Sequence, residues 1–362
     1  MNPETGKKLR AAAAAAAHRS AAEVATALMT AWHDSLSAPP CPVTGIDPLD
    51  TLMPGLLLPG RVTVVGARPA VGKTAIAMQI AEHVGVAHDT DVVIVSLEMM
   101  AESLARRHVV ARAIAQGTPL RDPHLWRDEA DSSAIADGIA SWGQLPYLII
   151  DQDRRRGAVQ AAIIAAVLAV RERGRRVGVV IVDYLQQITD DGAATREREV
   201  GLASVMLAET AKSLGVAMLV LAQLNRASAS AAEPRPPVIT DLRDSGQIEQ
   251  DADAVLLLHR PTQDGAAPQS SRPLARAAQI IVGKARHWGI EPGQTIEMED
   301  RGLRWVPAES APNKPAPSAA RGNGIPGYGL PAIVAAGWLK PDPRTGMLEL
   351  SDEIKGGDHG DW

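Results

Sequence analysis

Gly66-Ala67-Arg68-Pro69-Ala70-Val71-Gly72-Lys73-Thr74 constrains this chain more than any other stretch. It follows an apolar run at 62–65 and opens a helical pattern over 74–83. A phosphate-binding loop requires that setting, because backbone N–H groups at a helix N-terminus then face the phosphates. Lys73 suits the β/γ-phosphates and the Thr74 hydroxyl suits Mg²⁺. The strict pattern places its first glycine at position 67; here that place is Ala67, with Gly66 one residue early.

Between residues 60 and 260 short apolar runs alternate with helical stretches, the pattern of a parallel sheet covered by helices. The expected strands are 62–65, 92–95, 147–150, 177–182, 216–221 and 254–258, and the clearest helices 74–83, 157–171 and 196–213. Runs at 278–282, 295–298 and 303–305 read as antiparallel edge strands closing the sheet. The fold class is therefore α/β, with a mainly parallel central sheet and antiparallel edge strands. In open sheets of this kind ligands bind beyond the carboxyl ends of the strands. Several runs end there in a polar residue: Glu98, Asp183 and Gln223. Asp183 suits a Mg²⁺ carboxylate, since Mg²⁺ prefers hard oxygen ligands. Glu98 suits the base for an attacking water, and Gln223 a sensor of the γ-phosphate. Singly, each also reads as a turn or capping residue.

An alanine-rich stretch over 7–37 favours a helix, which Pro39-Pro40 ends. It either docks on a partner subunit or is a solvated leader. The expected organisation is a linker helix in 1–42, a motor domain in 43–306, a Pro/Ala/Gly-rich linker in 307–326 and a short tail in 327–362. In the tail, 332–339 suits a helix and 347–350 a strand. A net charge of -5 does not mark a general polyanion binder, so contacts to nucleic acid must be local. The single cysteine, Cys41, excludes an internal disulfide. With no signal peptide and no apolar run long enough to span a bilayer, a soluble cytoplasmic protein without membrane contact is expected.

In order along the chain, the phosphate loop, Ser96-Leu97-Glu98-Met99, Val182-Asp183-Tyr184-Leu185-Gln186, Ala222-Gln223-Leu224-Asn225-Arg226, the run from Asp241 to Asp253, and Gly283-Lys284-Ala285-Arg286 resemble the motifs of DnaB-type replicative DNA helicases. The family is RecA-like and accepts alanine at the first position of the loop. The resemblance covers about 43–306 and implies a RecA-like core, a homo-hexameric ring around one DNA strand, and ATP with Mg²⁺ between subunits. It implies that Lys73, Thr74, Asp183 and Glu98 act within one subunit while Lys284 and Arg286 reach the neighbour's γ-phosphate. An arginine finger of that kind contributes roughly 10³ to 10⁵ in rate. A solvated edge strand is the plainer reading of that pair.

The resemblance also implies contacts to single-stranded DNA from Arg243, Asp244 and Gly246, with Arg196 and Arg198 as weaker candidates, and a second channel loop over 226–236 that includes Arg235. Salt bridges to Glu197, Glu199 or Asp244 are the competing reading of these arginines. Without aromatic residues in these loops, sequence-independent tracking of phosphates is expected, sensitive to salt. Helicases of this type carry an N-terminal scaffold domain; only about forty residues precede the motor here, which puts coupling to a loader or primase in question. The expected function is ATP-driven translocation, 5′ to 3′ by the resemblance, with unwinding during replication. A RecA-like recombination or repair ATPase, or a nucleotide-binding regulator that does not unwind, stays open beside it.

Overall fold

The computed structural model describes residues 20–37, 41–117, 132–225, 235–242, 245–261, 276–301, 303–308, 339–341 and 348–350. The chain divides into two compact units, Met1–Ala308 and Glu309–Trp362. The first holds a nine-stranded sheet in the order β3-β2-β4-β5-β1-β6-β7-β8-β9. Its strands are β1 (Val62–Ala67), β2 (Asp91–Ser96), β3 (Tyr147–Ile150), β4 (Val177–Asp183), β5 (Met218–Gln223), β6 (Ala254–His259), β7 (Arg276–Ala285), β8 (Thr295–Asp300) and β9 (Trp305–Pro307). The first six in chain order run parallel; β7 pairs antiparallel with β6, β8 with β7 and β9 with β8. All nine expected strands exist. Most run one to three residues further than their apolar cores, while β5 begins at Met218 and β9 at Trp305.

Side chains alternate across a strand, so apolar runs of this kind feed two cores at once. Val65, Ala67, Val92, Ile94, Val179 and Ile181 meet one layer of helices. Val62, Val64, Val93, Val95, Val180 and Val182 meet the other. The helices are α1 (Ala21–Ser37), α2 (Asp47–Leu52), α3 (Lys73–Ala87), α4 (Ala101–Ala115), α5 (Ser132–Gly143), α6 (Arg156–Glu172), α7 (Arg196–Leu214) and α8 (Ser245–Asp251). Ile76, Ile80 and Val84 of α3 recur every fourth residue and pack in the first core, while Val159, Ile163 and Val167 of α6 pack in the second.

Helix ends follow local chemistry. The Thr195 hydroxyl accepts from Arg198 N (3.2 Å) to start α7, and Gly215 at φ 58° stops it. Ser20 and Glu23 form a reciprocal cap on α1, Glu23 N to Ser20 Oγ at 3.2 Å and Ser20 N to Glu23 Oε2 at 2.6 Å. Helix α1 is the described part of the expected 7–37 helix; residues 7–19 lie outside the described residues.

In the second unit, β10 (Leu339–Pro341) pairs antiparallel with β11 (Leu348–Leu350). The strand expected over 347–350 is found from Leu348. Leu339 begins a strand, where a helix was expected to end, and 332–338 lie outside the described residues. Among the described residues no helix is long and apolar enough to cross a membrane.

Candidate active site

Strands β2, β4, β5 and β1 are consecutive neighbours in the sheet, and the residues singled out at their carboxyl ends share one rim. Ser96 pairs with Asp183, and Ala67 with Gln223. Leu97 N and Glu98 N both donate to Asp183 O, at 2.7 and 3.3 Å. Glu98, Asp183, Gln223 and the phosphate loop are therefore brought to one crevice.

The loop turns through Ala70 at φ 61° and Gly72 at φ 119°. A Cβ on Gly72 would sit 3.0 Å from Trp305 Nε1 and 3.3 Å from Arg260 Nη2, so both conformation and space select glycine there. Trp305 is fully buried under the loop, and Gln79 of α3 grips its backbone through both amide ends: Gln79 Nε2 to Trp305 O at 2.8 Å, and Trp305 N to Gln79 Oε1 at 2.9 Å. Arg260 donates to Ala70 O (3.3 Å) and pairs with Asp300 at 2.5 Å.

Lys73 is buried, with its ammonium 5.4 Å from the centre of the Tyr184 ring. Burial pulls its pKa below the ordinary lysine value, against the opposing charges of Asp183 and Glu98. The Thr74 hydroxyl donates to Asp183 Oδ2 at 2.7 Å. Asp183 Oδ1 is buried and has no hydrogen-bond partner. Burial raises the Asp183 carboxyl above its usual range and Glu98 adds to this, while the Thr74 hydrogen bond, Lys73 and Arg107 oppose it. A hydroxyl beside a buried carboxylate with one oxygen unclaimed is a donor set that fits a hard divalent cation.

Four contributors escaped the sequence reading. Gln186 Oε1 accepts from Gln223 N (3.0 Å) and its Nε2 donates to Gln223 O (3.2 Å), locking the end of β5 to the turn after β4. Arg107 of α4 lines a small cavity with Thr74 and acts electrostatically on Asp183. Arg260 and Trp305 support the loop from the far side. Only the Gln186 pairing lay within a motif already noted.

Lys284 and Arg286 lie at the other rim. Ala285 pairs with Ala254, at the start of β6 beside the start of β1. Lys284 Nζ donates to Ala252 O (2.9 Å) and to Glu249 O; burial first, then the Arg286 charge, lowers its pKa. Arg286 donates to Gln250 O (2.5 Å) and lies 3.4 Å from Asp253 Oδ1, which His287 Nε2 also approaches at 3.0 Å. Asp253 Oδ2 in turn accepts from Val62 N at 3.0 Å.

Of the expected DNA-contact residues, Arg243 and Asp244 lie outside the described residues, as do 226–234 of the second loop. Gly246 is in the first turn of α8, with open space where a Cβ would be. Arg198 is exposed on the first turn of α7. Arg196 pairs with Glu199, the competing reading of its charge, and donates to Gln186 O and Ile188 O, which ties it to the turn after β4.

The DnaB-like helicase C terminal domain family matches residues 43–298. The replicative DNA helicase DnaB of Leifsonia xyli is 34% identical over 74% of this chain and 56% of its own length. That of Pasteurella multocida is 34% identical over 68% of this chain and 51% of its own. The chain spans about half the length of these curated relatives. A solved structure of a DnaB-like replicative helicase, described together with its interactions with primase, is 25% identical with a TM-score of 0.64, covering 78% of this chain and 68% of that one.

Proposed function

This chain belongs to the DnaB-like helicase C-terminal domain family, and from that premise we propose that it is an ATP-dependent DNA helicase motor of the replicative type. It binds ATP with Mg²⁺ on the phosphate loop, hydrolyses it at subunit interfaces of a homo-hexameric ring, and translocates 5′ to 3′ on single-stranded DNA.

The observation that carries this reading is the pair of rims. One rim gathers Gly66 to Thr74, Asp183, Glu98 and Gln223. Lys73 and the loop amides hold the β- and γ-phosphates, and Thr74 and Asp183 hold the cation, which when bound neutralises charge developing on the transferred phosphoryl group. Glu98, exposed beside Asp183, orients and deprotonates the attacking water. Gln223 senses the γ-phosphate. Lys284 and Arg286 sit toward the opposite rim: Lys284 is level with Val64 and Ala285 with Thr63, ~10 and ~13 Å of strand from Ala67 at about 3.3 Å per residue, with Arg286 beyond. They are suited to a neighbour's nucleotide and not to their own. Single-stranded DNA is met by Arg243, Asp244, Gly246 and Arg198. Primase or a loader is a further partner in this reading.

The deciding experiment compares ATPase rate with and without single-stranded DNA at low and moderate salt, alongside mass in solution with ATP and Mg²⁺. Salt-sensitive stimulation in a hexamer-sized species is expected, followed by unwinding of a forked duplex. A species that binds nucleotide but ignores DNA would instead support the regulator.

A further inference from the structure

Asp241 holds two separate points of the chain. Its backbone carbonyl accepts from Asn225 N at 2.8 Å, next to the antiparallel bridge between Leu224 and Leu242. Its carboxylate, on a residue only 5% exposed, takes both ends of the Arg235 guanidinium, Nη1 to Oδ2 at 2.8 Å and Nη2 to Oδ1 at 2.7 Å, and accepts from Val238 N at 2.9 Å. Asn225 and Arg235 are the residues on either side of 226–234. One aspartate thus fixes the chain where it leaves β5 and where it returns.

The phosphate loop touches the same two points. Ala67 O accepts from Leu224 N at 3.0 Å, and Arg68 Nη2 donates to Arg235 O at 3.4 Å. Arg68 also acts electrostatically on Asp241. A planar, two-bonded guanidinium–carboxylate pair resists sliding and rotation far better than a single contact. The Arg68 bond is long and to a neutral acceptor, so polyphosphate on the loop competes for that guanidinium. Nucleotide on the loop would then act at one end of this clamp while the Asp241 pair holds the other end in register.

We propose that Asp241, through Arg235, is a positioning residue that couples the phosphate loop to the chain at Asn225 and Arg235, so that nucleotide occupancy and affinity for single-stranded DNA change together. The proposal rests on the motor reading and deepens it by naming the residue that links the two ligands. Coupling of this kind is reciprocal between sites.

The test is anisotropy of a labelled oligothymidylate titrated with the whole protein, with and without a non-hydrolysable ATP analogue and Mg²⁺. The wild type is expected to show a nucleotide-dependent change in DNA affinity of about 5- to 150-fold, the usual range for coupled sites. Asp241→Asn, which keeps the shape and the backbone bond to Asn225, should bring that ratio to within about twofold of one while affinity for the analogue alone stays within about threefold. Arg235→Ala, on a half-exposed side chain, should do the same and keeps the test alive if the buried substitution fails to fold. The double variant should lose nothing more, because the two residues act as one unit. A wild-type ratio retained in both single variants, a wild type that binds DNA with a ratio near one, or additive losses in the double variant would each overturn the coupling role. A wild type that does not bind single-stranded DNA at all would overturn the motor reading, and the coupling role with it.

Discussion

Lys73 and Asp183 carry the electrostatics of the site. Burial disfavours both charges, lowering the lysine and raising the aspartate, and the two only partly compensate each other. The raised Asp183 carboxyl penalises the folded chain above that raised value, and the penalty lifts as pH falls through it. A divalent cation competes with that proton, so Mg²⁺-dependent nucleotide affinity should fall as pH drops from neutral toward the carboxylate range. Calorimetry in two buffers of different ionisation enthalpy should detect proton release on binding; no release and no pH dependence would remove Asp183 from the cation site. Glu98→Gln should retain nucleotide yet lose about 10² to 10⁴ in turnover, the range of a lost general base, read by single-turnover hydrolysis beside a binding isotherm. Asp183 and Glu98 could be singled out because each follows an apolar run, and Lys73 and Thr74 because they close a glycine-bearing loop between a strand and a helix. The Arg196–Glu199 pair was one of the two readings open from sequence; the carbonyls it also meets, those of Gln186 and Ile188, gather only when the turn after β4 folds over the start of α7.

At the scale of elements, legibility tracked apolar patterning. The central strands β1, β2, β4, β5 and β6 declared themselves because both faces of each are buried, and β8 by the alternation of a strand that buries one face. Helices α4 and α5 did not. In α4 only Leu104, Val109, Val110 and Ala113 are buried, between Arg106, Arg107 and Arg112, and its stripe is too thin to stand out. The α4–α5 contact depends on Gly138, where a Cβ would meet Val109 Cγ1 at 2.8 Å, a fit no local pattern announces. A similar fit joins α3 to β4. A Cβ at Gly178 would lie 2.3 Å from Thr90 Oγ1 and 2.5 Å from Val84 Cγ1, both in the interior. Gly178→Ala should therefore cost about 1–3 kcal/mol through overpacking. Gly157→Ala, in the first turn of α6 with open space around it, should be neutral or stabilise by up to about 1 kcal/mol. Urea unfolding midpoints of the two variants separate the cases; equal midpoints would mean the α3–β4 contact has room to spare.

For the whole molecule, the proposed division of labour between the two rims would make turnover a property of the assembly. If Arg286 completes a neighbour's site, specific ATPase activity should fall as the protein is diluted below its assembly concentration, by up to the roughly 10³ to 10⁵ an arginine finger contributes. Nucleotide binding on the phosphate loop should survive that dilution. A rate per subunit independent of concentration, in a monomer-sized species, would mean each chain is complete by itself. That each motif's order in sequence gives no hint of which rim it reaches explains why this division was implied only by resemblance: β7 runs against β6, and that reversal carries Lys284 and Arg286 away from the loop. The same reversal has a genetic consequence. If the finger acts on a neighbour, two alleles damaged at opposite rims, one at Lys73 and one at Arg286, should each be null when expressed alone, yet coexpression would form junctions between an intact loop and an intact finger. Such alleles should complement each other within one gene, whereas two alleles damaged at the same rim should not.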